Sequence, residues 1–411
     1  MKLLIADFVL ICNDTFEIIE QGGVLFDTTI VDVGKSEDLQ AKHPTATLMR
    51  TPPNSVLLPG LMNAHVHLEF SANQSMLVYG DFIAWLQSVI QHREELSAMA
   101  TTELISEKLQ EMLQCGTTTL GAISSFGADL EACTQTPQRV VYFNEVLGSV
   151  PSAVDAMYGD FRGRLEASKE FTCNRFIPAV SVHSPYSTHP ILAKKALQIA
   201  RDEGCVVSTH FMESAAERAW LDEATGDFQT FFNAFNPHAK PMCSAQDFLA
   251  LFEHNDTLFT HGVQATQQEL DTIATQKATL THCPVSNRLL GVGKLDLEAV
   301  QHKNINLTLG TDGLSSNISL SLWDEMRCAL MMHAEIALPS LAKTLLQSVT
   351  CHAAQALKLP CGTLEKGAYA DLIVATLPQA CETKDVALQL ILHTHQTYMT
   401  FIDGENYVRH N

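Results

Sequence analysis

The chain has 411 residues, of which 46% are hydrophobic, which is enough for one large core or for two to three domains. Acidic residues outnumber basic ones 46 to 26, so the formal net charge is −20. A surface this negative argues against nucleic acid and anionic membranes as partners.

The N-terminal apolar stretch is a poor signal peptide, because Asp7 interrupts it and no small-residue cleavage site follows. No apolar run approaches the roughly 18 residues that span a bilayer. Eleven cysteines are scattered without a Cys-x-x-Cys pair, which favours free thiols in a reducing compartment. We therefore expect a cytoplasmic protein with no membrane partner.

Residues 1–56 consist of short strand-like segments separated by turns, and residues 361–411 have the same character. The N-terminal candidates are Leu3–Leu10, Phe16–Glu20, Gly23–Phe26 and Thr29–Val33. Near the C-terminus, a turn at Asp403-Gly404 joins two further candidates, Tyr398–Ile402 and Tyr407–Val408. We expect the two ends to meet in space as one composite β-sandwich domain.

Residues 57–360 form a second unit, in which strand-like segments alternate with helix-like ones. The eight strand candidates are Val56–Leu61, Thr117–Ile123, Val140–Val146, Phe176–Val182, Val206–Phe211, Thr257–His261, Ala278–His282 and Ile305–Gly310. This alternation predicts an α/β fold, a (β/α)8 TIM-like barrel with its active site at the carboxyl ends of the strands. The competing doubly wound sheet needs a Gly-rich phosphate turn, and no G-x-G-x-x-G follows a strand here.

Two connections, 68–112 and 212–256, are longer than a barrel requires. In the first, Asp81 is placed to cap a helix that carries Phe82 and Trp85. Long loops on the catalytic face are often lids or specificity elements, so both connections are candidates for that role. Packing of the helix explains Phe82 and Trp85 about as well as a substrate contact does.

The segment Leu58–His67 ends in His-x-His, a pattern that suits a metal ion. Residues i and i+2 of a strand share a face, so His65 and His67 can direct two imidazoles at one point. Later strand candidates also end in or precede metal-capable side chains, namely His210, His261, His282 and Asp312. Three imidazoles and one carboxylate (His65, His67, His210, Asp312) would leave room for a water, whose pKa falls from about 15.7 towards roughly 7.

We favour one metal ion, because the fourth strand ends Ala179–His183 without the lysine whose carbamate bridges binuclear centres. His282 stays open as a ligand, a hydrogen-bonding neighbour of one, or a core histidine. Glu213 is a candidate proton shuttle if burial raises its pKa, although it could instead favour a helix N-terminus. Cys283 is expected to fill the core rather than act as a nucleophile.

Four motifs resemble the amidohydrolase superfamily, and more narrowly its mononuclear nucleobase and nucleoside deaminases. They are Leu58-Pro-Gly-Leu-Met-Asn-Ala-His-Val-His67, Ser208-Thr-His-Phe-Met-Glu213, Thr281-His-Cys-Pro-Val-Ser-Asn287 and Gly310-Thr-Asp312. The resemblance implies that His65, His67, His210 and Asp312 bind one divalent metal ion, with His261 and Asp312 orienting the attacking hydroxide. It also implies that Glu213 moves a proton to N1 of a purine, that C6 is attacked and that ammonia leaves. Such ligands suit zinc first, and also iron or manganese.

Other motifs narrow this resemblance. Val182-His-Ser-Pro-Tyr-Ser187 resembles deaminases of S-adenosylhomocysteine and methylthioadenosine, in which the histidine matching His183 contacts the nucleoside. A second set of segments resembles 6-aminodeoxyfutalosine deaminases of the futalosine route to menaquinone. They are Val56-Leu-Leu-Pro59, His65-Val-His-Leu-Glu-Phe-Ser71, Gly121-Ala-Ile-Ser124, Asn287-Arg-Leu-Leu290 and Thr311–Leu320. That resemblance implies conversion of the substrate's adenine to hypoxanthine.

The other substrate contacts are open at this stage. Phe82 and Trp85 could stack on the base or on the aromatic tail, and Glu145 could bond a ribose hydroxyl or be structural. The benzoate of 6-aminodeoxyfutalosine requires a cation, for which Arg288 and Arg139 are candidates. Arg288 could equally pair with acidic groups on a solvated face.

Three alternatives remain to the leading hypothesis. The chain could deaminate 5′-modified adenosines broadly, could act on guanine or a triazine, or could be a barrel that serves only as an interaction module. The complete ligand set argues against the interaction module. A homodimer is expected as the commonest assembly.

Overall fold

The structure is a computed structural model that describes residues 1–73 and 75–409. Gln74, within the predicted 68–112 connection, lies outside the described residues, as do His410 and Asn411 at the end of the predicted terminal unit. Two β-sheets organise the described chain, one built from its two ends and one from its middle.

Strands predominate at both ends of the chain, whereas strands and helices alternate through its middle. The strands are β1 (Lys2–Leu10), β2 (Ile18–Phe26), β3 (Ile30–Lys35), β4 (Thr47–Arg50), β5 (Ser55–Pro59), β6 (Leu61–Val66), β7 (Thr117–Ser124), β8 (Arg139–Val146), β9 (Phe176–Val182), β10 (Val207–Phe211), β11 (Thr257–His261), β12 (Thr279–His282), β13 (Asn306–Leu309), β14 (Leu372–Thr376), β15 (Met399–Ile402) and β16 (Glu405–Arg409). The α-helices are α1 (Ser36–Lys42), α2 (Phe82–Met99), α3 (Thr102–Gln114), α4 (Leu130–Gln135), α5 (Val154–Lys169), α6 (Pro190–Glu203), α7 (Ala215–Glu223), α8 (Asp227–Asn233), α9 (Ala245–Leu251), α10 (Gln267–Thr275), α11 (Pro284–Leu289), α12 (Leu297–His302), α13 (Leu322–Met332), α14 (Leu338–Ser348), α15 (Cys351–Leu357) and α16 (Val386–His393).

The first sheet joins the two ends of the chain in the order β16-β15-β14-β5-β1-β2-β3, with β4 beside β1. Most neighbouring strands are antiparallel, but β1 runs parallel to β4 and β5. Its buried face includes Leu4, Val24 and Leu372, and the rings of Phe26 and Phe401 meet edge-on with centroids 5.5 Å apart. The predicted β domain formed by both termini is confirmed, including its C-terminal hairpin β15–β16.

The prediction of two separate strands, Phe16–Glu20 and Gly23–Phe26, was wrong, because they are parts of the single strand β2. This strand pairs with β1 along its length, from Ile18 to Phe26. A Cβ at Gly22 would lie 2.7 Å from Val9 Cγ2. The glycines here permit close packing within the sheet instead of marking a turn.

The strand predicted over Val56–Leu61 spans two elements, which corrects its assignment to the barrel. β5 belongs to the terminal sheet, where it pairs with β1 and β14, and the barrel begins with β6. Between them lies Gly60, where a Cβ would overlap the side chain of Thr118. We therefore propose that the terminal and catalytic units meet at Gly60 rather than between residues 56 and 57.

The second sheet contains the eight parallel strands β6 to β13 in sequential order. The ring is nearly closed, because the backbone N–H of Asp312, beyond β13, donates to the carbonyl oxygen of His65 on β6 at 3.0 Å. The predicted strands from Thr117–Ile123 onward match β7 to β13 within one residue at each end. The predicted (β/α)8 barrel is confirmed. Its strands could be predicted from the sequence because they are buried along most of their length and therefore form apolar runs.

Helices surround the barrel. The prediction that Asp81 caps a helix is confirmed, since its side chain accepts from the backbone N–H of Ala84 at 2.8 Å at the start of α2. Within residues 1–73 and 75–409, no helix combines the length and the apolar character that a bilayer crossing needs.

A buried ion-pair cluster joins the two sheets at the amino ends of the barrel strands. Arg139, at the start of β8, donates to Asp371 through Nε at 2.6 Å and through Nη2 at 3.2 Å, and it also pairs with Asp403. Its guanidinium lies over Tyr369, with Cζ 4.0 Å from the ring centroid. The hypothesis that Arg139 binds the substrate carboxylate was therefore wrong, because two carboxylates of the terminal unit occupy its donors.

Candidate active site

Three histidines converge at the carboxyl ends of the barrel strands. His65 lies on β6, His67 directly follows it, and His210 lies on β10; all three are buried. The ring centroid of His65 is 4.8 Å from that of His67 and 4.8 Å from that of His210. The Nε2 atoms of His67 and His210 are 3.2 Å apart.

The protonation of these rings indicates a metal site. His210 Nδ1 lies 2.9 Å from the carbonyl oxygen of His183, which only accepts, so Nδ1 carries the proton and Nε2 presents a lone pair towards His67. His65 Nε2 is buried without a hydrogen-bond partner among the described residues. Burial and neighbouring histidines lower the pKa of His210 to about 3, so its ring is neutral, as a metal ligand must be. The three nitrogens fit a divalent ion that accepts imidazole ligands.

Asp312 adds a carboxylate to this cluster. Its Oδ1 is 3.9 Å from His65 Nε2 and 3.6 Å from His67 Nε2. The hydroxyls of Ser286 and Ser316 donate to its Oδ2 at 2.8 and 2.9 Å. Burial opposes ionisation, but the surrounding histidines outweigh it and lower the pKa of Asp312 below its usual range. The carboxylate is therefore charged and held in one orientation.

Glu213 and His261 face each other beside Asp312. Glu213 Oε1 is 3.6 Å from His261 Nε2, and one ligand atom from each of the three residues lies within 4.8 Å of the others. His261 Nδ1 donates to Asn287 Oδ1 at 2.9 Å, which leaves Nε2 as an acceptor. Burial, then Asp312 and Glu217, raises the pKa of Glu213 well above its usual value. Glu213 can therefore hold and release a proton at neutral pH.

The backbone is strained where these side chains leave their strands. The φ angle is +50° at Met212, +74° at His261 and +58° at Asp312, a region that is costly for residues other than glycine. Glu217 holds the first of these turns, because its carboxylate accepts from the backbone N–H groups of Met212 and Glu213 at 3.0 and 2.8 Å. Such strain is typical of positions where a fold must aim a functional side chain.

His282 lies behind the site rather than in it. The amide nitrogen of Asn287 contacts His282 Nδ1 at 3.2 Å, and His282 Nε2 is 3.2 Å from His333 Nε2. Of the three interpretations of His282 left open by the sequence, the structure supports a hydrogen-bonding neighbour of the site. Asn287 links it to His261, because its side-chain amide contacts Nδ1 of both rings. Cys283 is fully buried, and burial raises its thiol pKa well above the usual value, which fits core packing.

A cavity of about 360 Å³ opens above the cluster. Of the predicted substrate contacts, Trp85 and His183 line it, together with His67, His210, Glu213, His261 and Asp312. The connection 68–112 contributes Trp85 through α2, and the connection 212–256 contributes Phe231 and Phe232 through α8. Both connections therefore form walls of the cavity, and their movement as lids stays a prediction.

Phe82 and Glu145 do not reach this cavity. Phe82 is 4% exposed and packs in the core. The centroid of its ring is 5.5 Å from that of Trp85 and 6.0 Å from that of Phe228. Glu145 is fully buried, and Ser125 Oγ donates to its Oε2 at 2.6 Å. Glu145 thus lies one layer behind the cavity wall, where it orients Ser125.

Arg288 does not reach the cavity either, which corrects its prediction as a substrate contact. It is exposed on α11, whose preceding residues Ser286 and Asn287 face the site. Successive side chains of a helix point about 100° apart, so when Ser286 and Asn287 point inward, Arg288 points outward.

Sequence reasoning missed several lining residues, among them Arg93, Ser125, Phe126 and Tyr186. Arg93 lies eight residues after Trp85 on the same helix, so helical spacing from the predicted Trp85 could have found it. Ser125 and Phe126 lie just beyond β7, where a barrel places its active-site loops. Tyr186 is part of the quoted His-Ser-Pro-Tyr-Ser motif.

The nearly closed barrel, the β domain formed by both termini and the histidine–aspartate cluster at the strand ends together define a class of metal-dependent hydrolases. The chain belongs to the amidohydrolase family, whose model matches residues 56–406. This membership confirms the resemblance that the motifs indicate.

Individual relatives are similar over nearly their full length. Aminodeoxyfutalosine deaminase of a Nitratiruptor species is 44% identical over 407 residues, covering 99% of each chain. An adenosine deaminase of Helicobacter pylori is 34% identical, covering 99% of this chain and 100% of the relative. The crystal structure of Helicobacter pylori aminofutalosine deaminase in complex with methylthio-coformycin matches with a TM-score of 0.94 at 34% identity, covering 99% of this chain and 100% of that one.

Proposed function

We propose that the protein deaminates the adenine of 6-aminodeoxyfutalosine to hypoxanthine, with release of ammonia, in the futalosine pathway of menaquinone biosynthesis. The observation that carries the proposal is the buried acid Glu213, facing His261 and Asp312 beside three convergent histidines on the floor of the cavity. The substrate is taken from the name of the Nitratiruptor relative.

One divalent ion would be held by His65, His67, His210 and Asp312. Zinc is the first candidate, because three imidazoles and a carboxylate suit it, and iron or manganese would be accepted by the same atoms. When bound, the ion lowers the pKa of water towards neutrality and so supplies the nucleophile. Lysine is absent from Ala179–His183, which supports a single ion.

The residues of the chain supply the proton transfers. His261, held through Nδ1 by Asn287, and Asp312, held by two serine hydroxyls, orient the attacking water. Glu213 accepts a proton from this water and delivers it to N1 of the purine as the oxygen adds to C6. The second water proton then reaches the amino group, the C6–N6 bond breaks and ammonia leaves. His183, which lines the cavity, is placed to contact the nucleoside.

A broader activity on 5′-modified adenosines is the second candidate, and the name of the Helicobacter relative, adenosine deaminase, favours it. The two are separated by assaying purified, metal-replete protein on 6-aminodeoxyfutalosine, S-adenosylhomocysteine, methylthioadenosine, adenosine and guanine. A clear preference in kcat/KM for 6-aminodeoxyfutalosine supports the first proposal. Comparable rates on all adenosines support the second, and no turnover with metal bound contradicts both.

We also propose a cytoplasmic location and a homodimer. The eleven cysteines are all free thiols, which fits a reducing compartment. The dimer rests only on its being the commonest assembly of such chains, and light scattering of the purified protein tests it.

A further inference from the structure

One arginine, Arg93, lines the cavity at its outer end. Arg93 lies on α2 eight residues after Trp85, and at 1.5 Å per residue the two are about 12 Å apart along the helix axis. Trp85 is fixed near the reacting end, because its indole N–H donates to the carbonyl oxygen of Ser315, three residues after Asp312, at 2.7 Å. α2 therefore runs outward from the metal cluster, and Arg93 lies farther from the cluster than Trp85 along this helix.

Arg93 is free to bind an anion. In residues 1–73 and 75–409 it makes no hydrogen bond and no ion pair, and its side chain is exposed. Its guanidinium lies over the ring of Phe126, with Cζ 4.7 Å from the ring centroid. Among the lining residues that the structure describes, Arg93 alone carries a fixed positive charge.

The wall between the reacting end and Arg93 is apolar. Leu86, Val89 and Ile90 of α2 line it, with Ile90 47% exposed, and Phe126 faces the cavity and is 45% exposed. Exposed apolar side chains that lead to one cation match an aromatic ring that ends in an acid. A guanidinium binds a carboxylate through two parallel hydrogen bonds, which adds geometric selectivity to the charge.

We propose that Arg93, with Phe126, is a specificity-determining residue that binds an aromatic carboxylate at the 5′ end of an adenosine-type substrate. This inference rests on the proposed function, because it assigns the far end of the same substrate. The guanidinium of Arg93 lies with its face over Phe126, so its N–H edge is free to bind the carboxylate. The benzoate ring of the substrate then packs against the apolar wall.

Two other cations compete for this role. Lys240 lines an adjoining cavity of about 580 Å³ that shares Ser149, Tyr186 and Phe232 with the first. Arg288 lies outside both cavities. Arg93 is favoured because it alone lines the cavity that contains Glu213 and the histidines.

The test compares the Arg93→Gln, Lys240→Gln and Arg288→Gln variants on 6-aminodeoxyfutalosine, on its benzoate methyl ester and on methylthioadenosine, which has no carboxylate. For Arg93→Gln, the ratio of kcat/KM for the acid to that for methylthioadenosine should fall about 10- to 100-fold, mainly through KM, as loss of a charge-assisted hydrogen bond predicts. The value of kcat/KM for the methyl ester should differ much less between wild type and Arg93→Gln. Arg93→Lys should recover part of the acid-to-methylthioadenosine ratio. Arg162→Gln, an exposed arginine of α5 that does not line the cavity, is the matched control and should leave the ratio unchanged.

The inference is overturned if Arg93→Gln keeps the wild-type ratio, or if Lys240→Gln or Arg288→Gln produces the loss instead. Failure of the proposed function is a different result, because wild-type protein would then show no preference for the acid over methylthioadenosine. Melting temperatures of all variants should match the wild type, since each side chain is exposed.

Discussion

Replacement of Glu213 by Gln tests the proton transfer directly. Gln has nearly the same shape, and its amide can still donate to His261 Nε2, which faces Glu213 Oε1 at 3.6 Å. The packing of a side chain that is 5% exposed should therefore survive. Removing a positioned general acid–base group costs roughly 10²- to 10⁴-fold in rate, or about 3 to 5 kcal/mol in the activation barrier.

The change should appear in kcat with little effect on metal content. Burial together with Asp312 and Glu217 destabilises an ionised Glu213, so its neutral replacement should hold or raise the melting temperature. Deamination is followed by the ultraviolet change from adenine to hypoxanthine, the metal by elemental analysis and the fold by thermal unfolding. A loss of less than about 10-fold, with metal and melting temperature intact, would refute the assignment of Glu213 as the proton shuttle.

The remaining predictions concern the surroundings of the site and the joint between the two sheets. Glu217→Gln places an amide donor against the backbone N–H groups of Met212 and Glu213, and a buried unsatisfied donor costs about 1 to 3 kcal/mol. The variant should therefore lower kcat about 10-fold with KM little changed. An unchanged kcat would contradict the role of Glu217 in positioning Glu213. Chelation should abolish activity and lower the melting temperature, and zinc, iron or manganese should restore both; full activity of metal-free protein would exclude the metal site. Arg139→Met leaves Asp371 buried and unpaired, and should lower the free energy of unfolding in urea by about 3 to 5 kcal/mol, whereas Arg162→Met should not.

The barrel and most of its strands could be read from the sequence, because parallel strands buried by helices are continuous apolar runs with polar groups at their ends. The runs that precede His210, His261 and His282 are of this kind, and their limits match the strands within one residue. The reading failed where one signal has two physical causes. Glycine can end a strand or allow close packing inside one. Gly22 lies within the continuous strand β2, whereas Gly60 divides the predicted strand Val56–Leu61 into β5 and β6.

Long-range contacts of charged residues could not be predicted in this way. Arg139 and Arg288 both lie near plausible site positions in the sequence, yet one is buried against Asp371 and the other points to solvent. Helical spacing from Trp85 could have indicated Arg93 as a neighbour, but the path of α2 across the barrel is what brings it to the cavity.

The barrel, the terminal β domain and the set of metal-capable side chains could be predicted from local sequence patterns, because strand periodicity and position at strand ends are local properties of the chain. The folded structure shows which of those side chains converge on one point, which tautomers His210 and His261 adopt and where Arg93 lies in the cavity. These depend on distances between residues far apart in sequence: Asn287 fixes His261, and the His183 carbonyl fixes His210. The curvature of the barrel sets those distances, and no local pattern encodes them.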